Sequence, residues 1–178
     1  WLVEPRRVAD DVWSPGVRLG VRRGSWFHLN ECFGPVLGVM HADTLDEAIE
    51  LQNMTAFGLT GGIHSLDPAE VAQWSEAVQV GNAYVNRTIT GAIVRRQPFG
   101  GWKRSVVGPG AKAGGPNYVG QLGTWRALDE PRDATWLAAA EDSDAAAWHE
   151  EFSVSHDPTG LFCEANEFRY RPLARIAI

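Results

Sequence analysis

The residues of this chain that could do chemistry are concentrated in one glycine-rich stretch, residues 91–105. A glycine pair follows Phe99, and glycine lets a backbone approach a ligand closely beside the apolar wall that an aromatic ring provides. Cationic side chains bracket the ring and would attract an anionic substrate: Arg95, Arg96, Lys103 and Arg104. From these residues alone, an anion site and a glycine-rich surface loop with solvated arginines are equally good interpretations.

A second stretch, residues 30–37, favours the functional interpretation over the surface loop. It reads Asn-Glu-Cys-Phe-Gly-Pro-Val-Leu, and it precedes Pro-Phe-Gly-Gly-Trp-Lys-Arg-Ser at residues 98–105. The two stretches, in this order, resemble the E-x-F-G-P-V and P-F-G-G-x-K-x-S motifs of the aldehyde dehydrogenase superfamily. Either motif alone would be weak, but together they are specific.

The closer resemblance is to the branch that oxidises L-glutamate gamma-semialdehyde. That branch carries Gly-Ala ahead of Q-P-F-G-G, which matches Gly91, Ala92 and residues 97–101, and its G-P-x-A-K-A-G-G-P-x-Y stretch is similar to residues 108–118. The resemblance covers residues 1–125, and residues 150–173 resemble the tail of bifunctional proline-utilisation enzymes.

The resemblance implies roles for five residues. Glu31 would hydrogen-bond the ribose hydroxyls beside the nicotinamide of NAD, since one carboxylate can accept from two hydroxyls, and Phe33 would pack near that ribose. Backbone N–H groups at Gly91 and Ala92 would hold the substrate's alpha-carboxylate, where small residues let two amides converge. Phe99 would stack on the aliphatic part of the substrate. Without the resemblance, Glu31 would be a surface acid, Phe33 a core aromatic, and residues 91–99 a turn with a buried ring.

No catalytic residue is assigned within the chain. The family's nucleophilic cysteine and general-base glutamate lie upstream of E-x-F-G-P-V, so the chain is expected to be the C-terminal piece of a longer enzyme and inactive alone. Cys32 stands at the variable position of the motif, with no obvious activating base nearby, which a thiol nucleophile needs. Cys163, in the tail, is expected to be inert.

The expected activity of the longer enzyme is NAD-dependent oxidation of L-glutamate gamma-semialdehyde to L-glutamate in proline catabolism. The family mechanism is thiolate attack on the aldehyde, hydride transfer to the nicotinamide and hydrolysis of the thioester. The implied partner is a small aldehyde that bears a carboxylate, and a homo-oligomer is expected. Two alternatives stay open: a non-catalytic remnant that serves in folding or assembly, and a dehydrogenase for another acidic aldehyde.

Composition excludes several other classes. The 178 residues carry a net charge of −6, which argues against nonspecific nucleic-acid binding, and no apolar run approaches the length of a membrane helix. The two cysteines have neither metal nor disulfide spacing, so free thiols in a reducing, cytoplasmic compartment are expected. The five histidines are scattered and suggest no metal site.

The pattern of apolar residues predicts an α/β fold. Strands are expected at residues 35–42, 59–65 and 83–86, separated by helices that begin after Thr44 and Asp67. This order predicts a parallel βαβαβ core with right-handed crossovers. Ligand sites in such sheets lie past the carboxyl ends of the strands, which is where the glycine-rich stretch begins.

A composition break at residues 129–133 divides the chain into two expected regions. Residues 1–125 are expected to form the C-terminal part of a catalytic domain, and residues 126–178 a helical and short-strand extension. Within the second region and just before it, helices are expected near residues 116–122 and 134–151, a turn at 157–160, and strands at 168–171 and 176–178.

Overall fold

The computed structural model describes residues 1–108, 110–127, 129 and 132–172. The chain divides into two compact units, which are described separately. The first unit contains residues 1–90 and 99–110, and the second contains residues 91–98 and 111–178. The division between residues 98 and 99 therefore falls inside the glycine-rich stretch. The predicted strand at residues 176–178 lies outside the described residues.

The first unit is a mixed α/β structure. Its strands are β1 (Arg7–Ala9), β2 (Val12–Trp13), β3 (Gly16–Arg18), β4 (Val36–Gly38), β5 (Phe57–Gly58), β6 (Thr60–Ile63), β7 (Asn82–Val85) and β8 (Trp102–Lys103). Its helices are α1 (Trp26–Leu29), α2 (Leu45–Asn53) and α3 (Pro68–Ala77). The predicted strand–helix–strand–helix–strand order is present in β4, α2, β6, α3 and β7.

The strands pair two by two. Strands β6 and β7 pair in parallel, as predicted, with Thr60 opposite Asn82 and Ile63 opposite Val85. Strand β4 instead pairs in parallel with β3, which the apolar pattern did not single out, and β1–β2 and β5–β8 pair antiparallel. The predicted single three-stranded core is therefore not formed by these hydrogen bonds. Periodicity marks a segment as a strand, but tertiary contacts choose the neighbour at each of its edges.

The two longer helices begin where their capping residues predicted. Thr44 Oγ1 accepts the Glu47 N–H at 3.2 Å, while the Glu47 carboxylate accepts the N–H of Asp43 at 2.7 Å, one residue before the position expected of a capping box. Asp67 Oδ1 accepts the Ala69 N–H at 2.8 Å at the start of α3, with Pro68 in its first turn. These caps satisfy N–H groups that have no partner inside a helix.

The core of the first unit lies between these helices and the β6–β7 pair. Trp74 and Val78 are both 2% exposed and pack with Ile49 from α2. The indole N–H of Trp74 donates to the side-chain oxygen of Gln52 at 2.8 Å, so the one polar group of the ring is satisfied. Partly buried residues complete the cluster: Leu45, Ile63 and Val80.

The second unit is built from helical and loop segments. Helix α4 (Ala134–Ala147) is capped by Asp133, whose carboxylate accepts the Trp136 N–H at 2.9 Å, and a π-helical turn at Trp148–Phe152 follows it. The helix predicted near 116–122 is a 3-10 turn at Val119–Leu122. The strand predicted at 168–171 is limited to a bridge between Phe168 and His156. No helix within the described part of the chain is long and apolar enough to cross a membrane.

Candidate functional site

The E-x-F-G-P-V motif forms a tight, exposed connection between α1 and β4. The Gly34 N–H donates to the Cys32 carbonyl at 2.8 Å, and the Val36 N–H donates to the Gly34 carbonyl at 2.8 Å. Two successive bonds of this i to i+2 kind are those of γ-turns. They leave Glu31 exposed and Phe33 97% exposed, so Phe33 is not a core aromatic of this chain.

A cleft of about 470 Å³ opens beside this connection. Glu31, Cys32 and His28 line its polar side, and Val21 and Met40 are among its apolar walls. Ligand sites in proteins are commonly clefts of several hundred Å³ with apolar walls and few polar groups. The volume of this cleft lies within that range, but most of its exposed lining is polar, with Glu31 on the polar side.

His28, which lines the cleft, is fixed by hydrogen bonds to two backbone groups. Its Nδ1 accepts the Gly24 N–H at 3.0 Å, and its Nε2 lies 2.8 Å from the Leu51 carbonyl. An Nδ1 that accepts leaves Nε2 as the donor, so both ring nitrogens are used by the backbone. The sequence indicated a structural or solvated histidine, and its contacts are structural. His28 is thus not free to activate Cys32, whose thiol makes no hydrogen bond among the described residues.

The second candidate segment, residues 91–98, is termed the anchor loop. Gly91 has a φ of 119°, a backbone conformation that glycine adopts without strain. Two residues later the loop closes on itself: the Ile93 carbonyl accepts the Gln97 N–H at 2.7 Å, and the Ile93 N–H donates to the Gln97 carbonyl at 3.2 Å. The N–H of Ala92, just before this closed turn, has no acceptor among the described residues and belongs to an exposed residue. The geometry leaves one amide donor available at the predicted position.

The glycine pair of the 108–118 stretch braces the anchor loop. The Arg95 N–H donates to the Gly114 carbonyl at 2.9 Å, and a Cβ on Gly114 would lie 3.0 Å from the Val94 Cα. A Cβ on Gly115 would lie 3.2 Å from the Pro98 Cβ. Side chains at these two positions would be crowded, so the glycines allow residues 114 and 115 to lie against the anchor loop.

The motif from Phe99 to Ser105 is bound into the first unit. Asn82 Oδ1 accepts the Gly100 N–H at 3.1 Å, and Ser105 Oγ accepts the Gly58 N–H at 3.1 Å. A Cβ on Gly101 would lie 2.4 Å from the Ser105 Cβ, so Gly101 is required for packing. Phe99 itself is partly exposed. Gly91 and Ala92 belong to the second unit and Phe99 to the first.

The four cations that bracket Phe99 are mostly engaged in local contacts. The Lys103 ammonium donates to the carbonyls of Asn53 at 2.5 Å and Thr55 at 3.0 Å, and burial lowers its pKa. Arg104 lies over the Phe57 ring at 5.3 Å. Arg96 pairs with Glu164, while Arg95 is exposed. The Arg96 charge is thus balanced by a carboxylate, whereas the contacts of Lys103 and Arg104 are with neutral groups and leave their positive charge in place.

Comparison with known proteins agrees with the two motifs. The model of the aldehyde dehydrogenase family matches residues 5–125. Over 119 residues, the chain is 40% identical to 1-pyrroline-5-carboxylate dehydrogenase of Bacillus cytotoxicus, covering 67% of this chain and 21% of that protein. It is 46% identical over 96 residues to the bifunctional protein PutA of Rhizobium meliloti, covering 53% of this chain and 8% of that protein.

Solved structures give the same result. Proline utilization A (PutA) from Corynebacterium freiburgense superposes with a TM-score of 0.90 at 60% identity, covering 97% of this chain and 20% of that one. A 1-pyrroline-5-carboxylate dehydrogenase from Thermus with bound NAD superposes with a TM-score of 0.55 at 42% identity, over 58% of this chain and 20% of that one. The chain thus spans about a fifth or less of these relatives. The family predicted from the two motifs is confirmed: this chain belongs to the aldehyde dehydrogenase family.

Proposed function

We propose that this chain is part of an NAD-dependent dehydrogenase that oxidises L-glutamate gamma-semialdehyde to L-glutamate in proline catabolism. In this proposal residues 1–125 belong to the catalytic domain and residues 126–178 to an extension. The names of the relatives support the substrate class. The observation that carries the proposal is the Ala92 N–H, which belongs to an exposed residue, has no acceptor among the described residues and follows a glycine at φ 119°.

The Gly91–Ala92 backbone would bind the substrate's alpha-carboxylate. An anion gains most from backbone N–H groups that are fixed before it arrives, since no reorganisation is then needed. The closed turn between Ile93 and Gln97 supplies that rigidity. Phe99 would cover the aliphatic part of the substrate, which leaves the aldehyde at the far end of a chain held by its carboxylate.

Glu31 and Phe33 would receive the nicotinamide end of NAD. The cleft beside Glu31 supports this placement, because it has the volume of a ligand site and Glu31 lies on its polar side. When bound, the dinucleotide supplies the acceptor for the hydride that leaves the aldehyde carbon. Over the whole reaction, the aldehyde, water and NAD⁺ give the carboxylate, NADH and two protons. The residues of this chain bind and orient the reactants.

The nucleophile is proposed to lie outside this chain. Cys32 has no hydrogen-bonded base among the described residues, and His28 uses both ring nitrogens on the backbone. Cys163 is exposed and lies in the tail. We therefore expect the 178 residues alone to be inactive. The longer enzyme is proposed to be a homo-oligomer in the cytoplasm, and the two free cysteines are in keeping with that reducing compartment.

A substrate comparison on the full-length enzyme tests this function. NADH formation is measured with L-glutamate gamma-semialdehyde and with unsubstituted pentanal, which has the same chain length but no carboxylate. A preference of at least about a hundredfold in kcat/KM for the semialdehyde is expected, from loss of the charge-assisted bonds to the carboxylate. Equal activity on both would reject the carboxylate anchor. Preference for another acidic aldehyde would favour a dehydrogenase with that substrate. No activity on any aldehyde would favour the non-catalytic folding or assembly module.

A further inference from the structure

We propose that residues 156–168, here termed the tail loop, position the anchor loop for the substrate's carboxylate, with Glu164 and Asn166 as the positioning residues. This inference rests on the proposed function, which it extends to a segment that the catalytic motifs do not include. Both loops belong to the second unit.

The tail loop is a self-contained structure whose two ends are joined. The His156 N–H donates to the Phe168 carbonyl at 2.9 Å, and the Phe168 N–H donates to the His156 carbonyl at 2.8 Å. Loops of this length with paired ends are compact Ω-loops, held by their own side chains. The tail loop can therefore act as a rigid support.

Asp157 organises the interior of the tail loop. Its Oδ1 accepts the hydroxyl of Thr159 at 2.6 Å and the N–H groups of Thr159 and Gly160 at 2.9 and 3.2 Å. Its Oδ2 accepts the N–H of Asn166 at 3.1 Å. One carboxylate thus connects the first turn of the loop to Asn166, which lies nine residues further along the chain.

Asn166 is the buried polar residue of this arrangement, at 9% exposure. Its Nδ2 donates to Thr159 Oγ1 and Glu164 Oε1, both at 3.2 Å, and its Oδ1 accepts from Gln97 Nε2 at 3.0 Å. Buried amides are retained where both ends are satisfied. Here one end is satisfied inside the tail loop and the other by the anchor loop.

Glu164 provides the second link, an ion pair with Arg96. Both side chains are largely covered, at 27% and 35% exposure, so water screens this pair less than a surface pair. The same two anchor-loop residues donate their backbone N–H groups to the Ile93 carbonyl, Arg96 at 3.1 Å and Gln97 at 2.7 Å. The tail loop therefore binds the side chains of the two residues that close the turn after Ala92.

The consequence concerns the Ala92 N–H. Its direction depends on the turn that follows it, and that turn is held by Arg96 and Gln97. Loss of the Glu164 pair would leave the Arg96 guanidinium partly buried without its carboxylate, and the turn would gain alternative conformations. A substrate that uses the amide would bind less well, while one without a carboxylate would not be affected.

The experiment compares Glu164→Gln with Glu167→Gln in the full-length enzyme. Glu167 is a matched control, because it is a tail-loop carboxylate that accepts from the Ser155 hydroxyl at 3.1 Å and, among the described residues, makes no hydrogen bond to the anchor loop. For Glu164→Gln we expect KM for the semialdehyde to rise about tenfold, from loss of one charge-assisted contact, with kcat/KM for pentanal unchanged. Glu167→Gln should match the wild type on both substrates.

A second measurement and a second variant test the same proposal independently. Hydrogen exchange of the amides in residues 93–97, measured without substrate, should become faster in Glu164→Gln and not in Glu167→Gln. If Glu164→Gln does not fold, Gln97→Met removes the link to Asn166 from the anchor-loop side and should give the same two effects. Unchanged exchange, or equal losses on both aldehydes, would overturn the proposal. If the enzyme shows no semialdehyde activity at all, the proposed function fails, and exchange alone decides whether the tail loop positions the anchor loop.

Discussion

The carbonyl oxygen of Gly100 lies 1.8 Å from the position that a Cβ on Gly81 would occupy. No side chain fits in that space without moving the backbone that leads into the P-F-G-G motif. We therefore expect Gly81→Ala to lower the free energy of unfolding by about 3 kcal/mol, as for overpacked sites. Thermal melting of the full-length protein measures this. Gly123→Ala is the matched control, since nothing lies within 4 Å of its Cβ position, and an equal loss in both variants would contradict the packing argument.

We expect Lys103 to stabilise the folded protein and not to attract the substrate. Its ammonium binds the carbonyls of Asn53 and Thr55, at and just beyond the C-terminal end of α2, where helix carbonyls lack partners. Lys103→Met should cost about 1 kcal/mol of stability, the net effect of losing hydrogen bonds to partly buried acceptors. Arg22→Met removes the same charge from an exposed position and should leave the melting temperature unchanged. A large loss of semialdehyde selectivity in a stably folded Lys103→Met enzyme would contradict this assignment.

Glu31 is expected to seat the nicotinamide without contributing to capture of the aldehyde. In the full-length enzyme Glu31→Gln replaces charge-assisted bonds to ribose hydroxyls by neutral ones, which costs about 1–2 kcal/mol. The dissociation constant of NAD, measured by fluorescence titration, should rise accordingly, and hydride transfer should slow. Glu4→Gln, an exposed carboxylate outside the cleft, is the control. Wild-type NAD affinity and hydride transfer in Glu31→Gln would show that the carboxylate has another role.

Ala92 offers a direct test of the carboxylate anchor. Ala92→Pro deletes the exposed N–H and should cost about 2–4 kcal/mol in kcat/KM for the semialdehyde, by analogy with loss of one donor from an anion hole. The cost on pentanal should be much smaller. Ala92→Gly keeps the N–H and separates loss of the donor from loss of the side chain. Equal losses on the two aldehydes would mean that proline only disrupts the loop.

Asp157 predicts how stability changes in acid. Its hydrogen bond from the Thr159 hydroxyl, with those from the N–H groups of Asn166, Thr159 and Gly160, lowers the pKa of its carboxyl from 3.8 to about 2. Because the folded pKa is the lower one, the unfolded state binds more protons between these values. The stabilisation is complete above about pH 4 and is lost as the pH falls towards about 2.

The measurement compares the wild type with Asp157→Asn over this range. The difference between their melting temperatures should be largest near neutral pH and should shrink steadily below about pH 4. Asp142→Asn, in α4, makes no side-chain hydrogen bond among the described residues and serves as the control. A difference that does not change with pH would show that Asp157 acts through its shape and not through its charge.

The sequence by itself determined the local elements and the family. Thr44 and Asp67 marked the starts of α2 and α3 because capping needs only a side-chain oxygen and the next turn of backbone. The two motifs at residues 31–36 and 98–105 identified the aldehyde dehydrogenase family, and the family model confirmed it. Such features depend on residues close together in the chain, so their types and spacing are sufficient.

Tertiary structure alone decided which distant residues meet. The apolar pattern located β4 but not its partner β3, because each strand edge accepts any neighbour of suitable register. Nothing in the local sequence linked Gln97 to Asn166 or Arg96 to Glu164, since each pair is separated by more than sixty residues. Such contacts form only when the chain is folded, because both partners must lose conformational freedom and be desolvated together.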